Sequence, residues 1–257
     1  MAEHFARTVL GSGPGILLAH GAGGGVEANF GPILDDLATT HTVVGADYPG
    51  SGKTPRSPVP LTLDDLADAL VGTAVDAGVD RFAVLGYSLG TAVAVRIATR
   101  HPDRVTGLVL TAGFARPDHR LRLALQVWRA LLDAGDRELT ARFLTFAATG
   151  ATALDALEPA ALEAAVAGLA DFLPAGSPEQ VDLGATVDTR AELSRIAVPT
   201  LVVATTEDGL TGVGLSRELA AGIPGAELVE IASGHGIGAE APDEWLAAIR
   251  SLLSRVG

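Results

Sequence analysis

Short apolar runs of strand length alternate with stretches of helical periodicity along most of this chain. That alternation admits few folds other than a parallel sheet covered by helices on both faces. Ile16–His20 reads as a buried strand stopped by the glycine run at Gly21, followed by a helical pattern over Asn29–Ala38 and a strand at His41–Ala46. Asp47–Pro60 is loop, rich in Gly, Pro and Ser. Thr62 with the acids that follow it reads as the cap of a helix running to about Gly78. Phe82–Gly86 is a strand, Leu89–Arg100 a helix and Val105–Thr111 a strand. Over 114–196 the alternation stops, and apolar residues fall at helical spacing in about four short helices punctuated by Pro117, Pro159, Pro174 and Pro178. It resumes with strands at Thr200–Ala204 and Glu227–Ile231 and helices at Leu215–Gly222 and Pro242–Arg255. The expected architecture is α/β: a mostly parallel, doubly wound sheet from residues 1–113 and 197–257, interrupted by a helical insertion at 114–196.

Composition narrows the function classes. At 257 residues, with 48% hydrophobic and 19% charged residues, the chain has an ordinary globular balance and length enough for a full core. It has no cysteine, which excludes disulfides, Cys-based zinc sites, iron–sulfur clusters and cysteine nucleophiles. The net charge is −13, Lys53 is the only lysine, and the arginines are scattered, so nucleic acid and anionic membrane are poor partners. No apolar run reaches membrane-spanning length, and Met1–Arg7 lacks the basic-then-apolar pattern of a secretory leader; a cytoplasmic protein is expected. No metal or cofactor is expected, a small molecule is the expected partner, and the oligomeric state is left open.

Gly86-Tyr-Ser-Leu-Gly90 lies where a strand meets a helix. So tight a turn forces strained backbone angles on the serine, and glycine at both flanks relieves clashes with neighbouring strand and helix. Ser88 then projects above the carboxyl edge of the sheet, and the Leu89 N–H, at a helix start, is free to meet an oxyanion. As a bare string the pentapeptide arises by chance; its strand–turn–helix setting makes it informative.

A serine hydroxyl needs a base, and the base an orienting acid. Of six histidines, His4 is near the end, His41 opens a strand, His101 closes a helix and His119 lies in the insertion. His235 follows the last strand, on the sheet edge that carries Ser88, and is the expected base; His20 is read as a support for the glycine loop. Asp208, in the loop after the Thr200 strand, is the expected acid, ahead of Glu207 and Asp118. The loop His20-Gly-Ala-Gly-Gly-Gly25 lets backbone approach a substrate oxygen, so the Ala22 N–H is assigned as the second oxyanion donor.

Taken together, His20-Gly-Ala, Asp47-Tyr-Pro-Gly-Ser-Gly, Gly86-Tyr-Ser-Leu-Gly, Asp208 and Gly234-His235 with Glu240-Ala-Pro resemble the α/β-hydrolase superfamily, serine-hydrolase branch, over essentially the whole chain. The resemblance implies a core sheet of up to eight strands, a nucleophile elbow, a cap or lid at 114–196, and an acyl-serine intermediate. It also implies a cofactor-free esterase or lactonase. Serine at 88 departs from the dehalogenase and epoxide-hydrolase branches, which use aspartate there. Thr91 is larger than the residue many relatives carry after the elbow, and Gly236-Ile-Gly after His235 suggests an open loop. Around the site, Asn29, Tyr87, Trp128, Phe143 and Phe146 are candidates for substrate contact, with Phe172 a further wall candidate. Each aromatic of the insertion has an ordinary use as lid core, and Asn29 as a helix cap.

Three other readings compete. A dinucleotide site would use Gly21–Val26 and Asp47, but Val26 stands where a third glycine belongs. A carbon–carbon bond hydrolase of ring-cleavage products would keep the fold and use Asn29, with Arg116, Arg120 or Arg122 as acid-binding groups. A slow-turnover binding protein would keep the same three side chains and release product slowly.

Overall fold

Among residues 5–256, which the computed structural model describes, seven strands hydrogen-bond into one sheet. They are β1 (Arg7–Leu10), β2 (Gly15–Ala19), β3 (Thr42–Ala46), β4 (Phe82–Tyr87), β5 (Val105–Thr111), β6 (Thr200–Thr205) and β7 (Glu227–Ile231). Their order across the sheet is β1-β3-β2-β4-β5-β6-β7, with β1 antiparallel to β3 and every other pair parallel. From β2 the chain goes first to one side, to β3, and then to the other, to β4, so the β2/β4 boundary is the switch point where α/β sheets bind ligands.

The central strands read as unbroken apolar runs because both faces are covered. Ile16 and Leu18 of β2 pack with α1 (Val26–Ala38) and α12 (Pro242–Val256), while Leu17 and Ala19 pack with α2 (Leu63–Asp76) and α3 (Leu89–Arg100). The period-two alternation of a strand divides one run between two cores. α10 (Val213–Gly222) completes the second layer between β6 and β7. Arg96 joins α3 to its neighbours, bonding Asp64 of α2 and Glu192, and His101 at the end of α3 meets Asp68 at 2.7 Å.

Several boundaries differ from the sequence reading. β1 is absent from it: four residues, half of them exposed, on a sheet edge carry too little apolar signal. α1 begins at Val26, so Asn29 is inside the helix and does not cap it. The segment between β5 and β6 contains no strand and six helices where about four were expected: α4 (His119–Ala134), α5 (Arg137–Ala148), α6 (Ala151–Asp155), α7 (Pro159–Phe172), α8 (Ser177–Thr186) and α9 (Arg190–Leu193). A short helix α11 (Ile237–Glu240) follows His235. Asp118 caps α4, its side chain accepting from the Leu121 N–H at 2.8 Å, which removes it as a candidate acid. His4 lies outside the described residues. No helix among the described residues is long and apolar enough to cross a membrane.

Candidate active site

Ser88 occupies the turn from β4 to α3 at φ 55°, ψ −120°. Among the described non-glycine residues only Ala112 shares its positive φ, a conformation that costs about 1–3 kcal/mol and has to be held by its surroundings. The two glycines do the holding. A Cβ at Gly86 would stand 2.6 Å from the Gly90 carbonyl oxygen, and one at Gly90 only 1.9 Å from that of Ala19. Thr91 fits at the helix start because position 113 is glycine, and its hydroxyl donates to the Ser88 carbonyl at 2.6 Å. The side chain that looked too large in the sequence is part of the turn.

Asp208 and His235 come from the loops after β6 and β7, at the same sheet edge. His235 Nδ1 lies 2.7 Å from Asp208 Oδ2. Asp208 is 5% exposed and meets four further donors: Thr205 and Thr211 hydroxyls on Oδ2, and Leu210 and Thr211 N–H groups on Oδ1. Burial pushes its pKa up, but the adjacent His235 charge and the hydrogen bonds from His235 and Thr211 outweigh burial and hold it below the usual carboxylate value. Thr211 also lies 3.1 Å from His235 Nδ1 and 3.0 Å from the Ala112 carbonyl. The sequence reading missed Thr205 and Thr211; a threonine three residues from an aspartate in a turn was the available signal. Glu207, the rejected neighbour, binds Thr152 through its N–H and hydroxyl and so ties the β6 loop to α6.

The loop from β2 to α1 is fixed donor by donor. The Gly21 N–H donates to Asn29 Oδ1 and the Gly23 N–H to Gln180 Oε1, both at 2.8 Å. The Gly24 N–H meets the Gly21 carbonyl, and Val26 N–H meets Asp47 Oδ1 at 2.8 Å. Ala22 N–H is passed over, and neither it nor Leu89 N–H has an acceptor among the described residues. Beneath the loop His20 is fully buried, stacked on Tyr48 with ring centres 3.8 Å apart. Its Nε2 accepts the Tyr48 N–H, so Nδ1 carries the proton and donates to the Gly21 carbonyl at 2.8 Å.

Asn29 and Tyr87, two of the proposed substrate contacts, hold neighbouring loops. Asn29 turns its Oδ1 to the Gly21 N–H, so its carbonyl serves the glycine loop. Tyr87 is buried; its hydroxyl bonds the His235 carbonyl and its ring meets His235, Phe30 and Trp245, so it props the histidine loop. Phe146 is 74% exposed and Phe172 is also exposed, so neither walls a pocket in this structure. Phe143 is half-buried against the core, and Trp128 is buried over the Gly23 loop. The Asp47 carboxylate at the start of α1 fills the place a pyrophosphate would need, so the dinucleotide reading fails.

The sequence matches the model of the alpha/beta hydrolase fold family over residues 14–242. This chain belongs to that family. It is 32% identical over 248 residues to a pyrrolizixenacetamide deacetylase of Xenorhabdus hominickii, covering 95% of this chain and 92% of the relative. It is 32% identical over 243 residues to a pimeloyl-[acyl-carrier protein] methyl ester esterase of Chromobacterium violaceum, covering 88% of each. The crystal structure of a hydrolase from Pseudomonas aeruginosa PA01 superposes with a TM-score of 0.85 at 27% identity, covering 97% of this chain and 94% of that one. Membership of this family agrees with the mostly parallel seven-stranded sheet flanked by helices.

Proposed function

We propose that this α/β hydrolase is a cofactor-free serine hydrolase that cleaves a carboxylic ester, lactone or related acyl compound. The observation that carries the reading is the sealed Asp208–His235 pair, 2.7 Å apart, on the sheet edge where Ser88 is held at positive φ. In the forward step Ser88 Oγ attacks the acyl carbon while His235 Nε2 takes its proton. The Ala22 and Leu89 amides receive the oxyanion. Imidazolium then protonates the leaving alcohol, leaving an acyl-serine, and water activated by the same nitrogen releases the acid. Asp208 keeps the Nδ1 proton in place and stabilises the positive ring. The two curated relatives, a deacetylase and a methyl ester esterase by name, support acyl chemistry. The helices of residues 114–196 serve as the cap that selects among acyl compounds.

The test is intact-protein mass after exposure to a fluorophosphonate, for wild type and Ser88→Ala in parallel. One adduct on wild type and none on the variant is expected. No adduct on folded wild type, or equal labelling of both, overturns the reading.

A further inference from the structure

Of the two tryptophans, Trp245 is fully buried and donates its indole N–H to the Thr111 hydroxyl at 3.0 Å. Trp128 is 4% exposed, and its N–H is sealed from solvent without any acceptor among the described residues. A native interior rarely leaves a donor in that state, because the group loses its water and gains nothing.

Its position gives the donor a use. Leu121, Leu125 and Trp128 form the buried stripe of α4. The benzo edge of Trp128 lies on Gly23, where a Cβ would come within 2.5 Å of Cζ2 and 2.9 Å of Cη2; φ there is +65°, so glycine is required twice over. Gly23 follows Ala22, the first of the two unpaired amides. One turn earlier Leu125 reaches Gly184, as does Leu89, the residue of the second amide: their Cδ1 atoms lie 3.9 and 4.0 Å from the Gly184 Cβ position. The stripe of α4 therefore packs on the Gly23 loop, next to Ala22, and reaches Gly184 beside the Leu89 side chain, and the unpaired indole N–H belongs to that stripe.

We infer that Trp128 Nε1 is a substrate donor, matched to a second, neutral acceptor oxygen on the acyl chain; this rests on the serine-hydrolase reading. A neutral oxygen is favoured over a carboxylate because Arg129, the cation next to Trp128 in the chain, is already paired with Asp133 and Asp182. A buried carboxylate would lack a counter-charge there. The substrate class is an oxo-, acyloxy- or lactone-bearing acyl ester, not a plain alkanoate.

Two measurements test this. In Ser88→Ala protein labelled with ¹⁵N, the two indole cross-peaks are assigned through Trp128→Phe. Saturating methyl 4-oxopentanoate or methyl 5-oxohexanoate should move the Trp128 peak and leave Trp245 in place, whereas methyl hexanoate should move the Trp128 peak much less. In the second, the ratio of kcat/KM for oxo-ester over plain ester should fall about tenfold from wild type to Trp128→Phe, the worth of one neutral hydrogen bond. A Trp128 peak unmoved by both oxo-esters, or an unchanged ratio, overturns the inference. Fluorophosphonate labelling of Ser88 in the same wild-type preparation separates the two failures: with an adduct the donor role alone falls, and without one the hydrolase reading falls first.

Discussion

Lowering the pH should destabilise this fold through His20 before it titrates most of its carboxylates. His20 is fully buried under the Gly21–Ala22 loop, and burial lowers its pKa from the ordinary 6.5 to about 4, only partly offset by the Gly21 carbonyl and the Asp47 charge. Protonation would also set an N–H at Nε2 against the Tyr48 N–H that this nitrogen now accepts. Because the folded value is depressed, the unfolded chain takes the proton first. The contribution is whole above pH 6.5, declines as pH falls, and is spent at about pH 4. At about 1.4 kcal/mol per pH unit, that interval removes about 3 kcal/mol, a large share of a typical folding stability of about 5–15 kcal/mol. Urea unfolding of wild type and His20→Asn at several pH values between 7 and 4 reads it. Carboxylate contributions are common to both proteins and cancel, so the stability gap should shrink by about 3 kcal/mol across the interval. A gap independent of pH would refute the reasoning. Should the variant not fold, the His20 ring signals of wild type serve instead, and titration near the ordinary 6.5 would refute it equally.

Asp208→Asn should lower kcat by about 10⁴-fold, because an amide NH₂ at Oδ2 would face the Thr205, Thr211 and His235 donors and turn the imidazole to the wrong tautomer. A loss below tenfold in steady-state ester hydrolysis would contradict the role given to Asp208. Gly113→Ala should cost about 1–3 kcal/mol, since its Cβ would lie 2.4 Å from Thr91 Oγ1 and Cγ2. Adding Thr91→Ala should return much of that loss in a thermal-denaturation double-mutant cycle; strictly additive effects would show that the two sites do not touch.

The elements that local sequence determines are those whose signal is repeated within a few residues. Leu89–Arg100 and Val105–Thr111 occur with the bounds read from the chain, because a helix and a doubly buried strand each write their burial into their own periodicity. The turn at Ser88 was equally legible, since both glycines that permit its φ are its own neighbours. Asp208 and His235 could be named from their places after strands, but their 2.7 Å contact is a property of how β6 and β7 lie side by side. Where partners come from distant segments, the chain carried no warning. Asp47 holds Val26, Gln180 reaches Gly23 from α8, and Gly113 makes room for Thr91. Tyr87 and Phe146 show the same limit for aromatic rings: an apolar residue beside a site can serve as its wall, its prop or its surface, and only packing separates them. Sequence alone determined which residue types sit at the edge of which strand; tertiary structure decided which donor met which acceptor. Hydrogen bonds between remote segments obey distance and direction in space and leave no period along the chain.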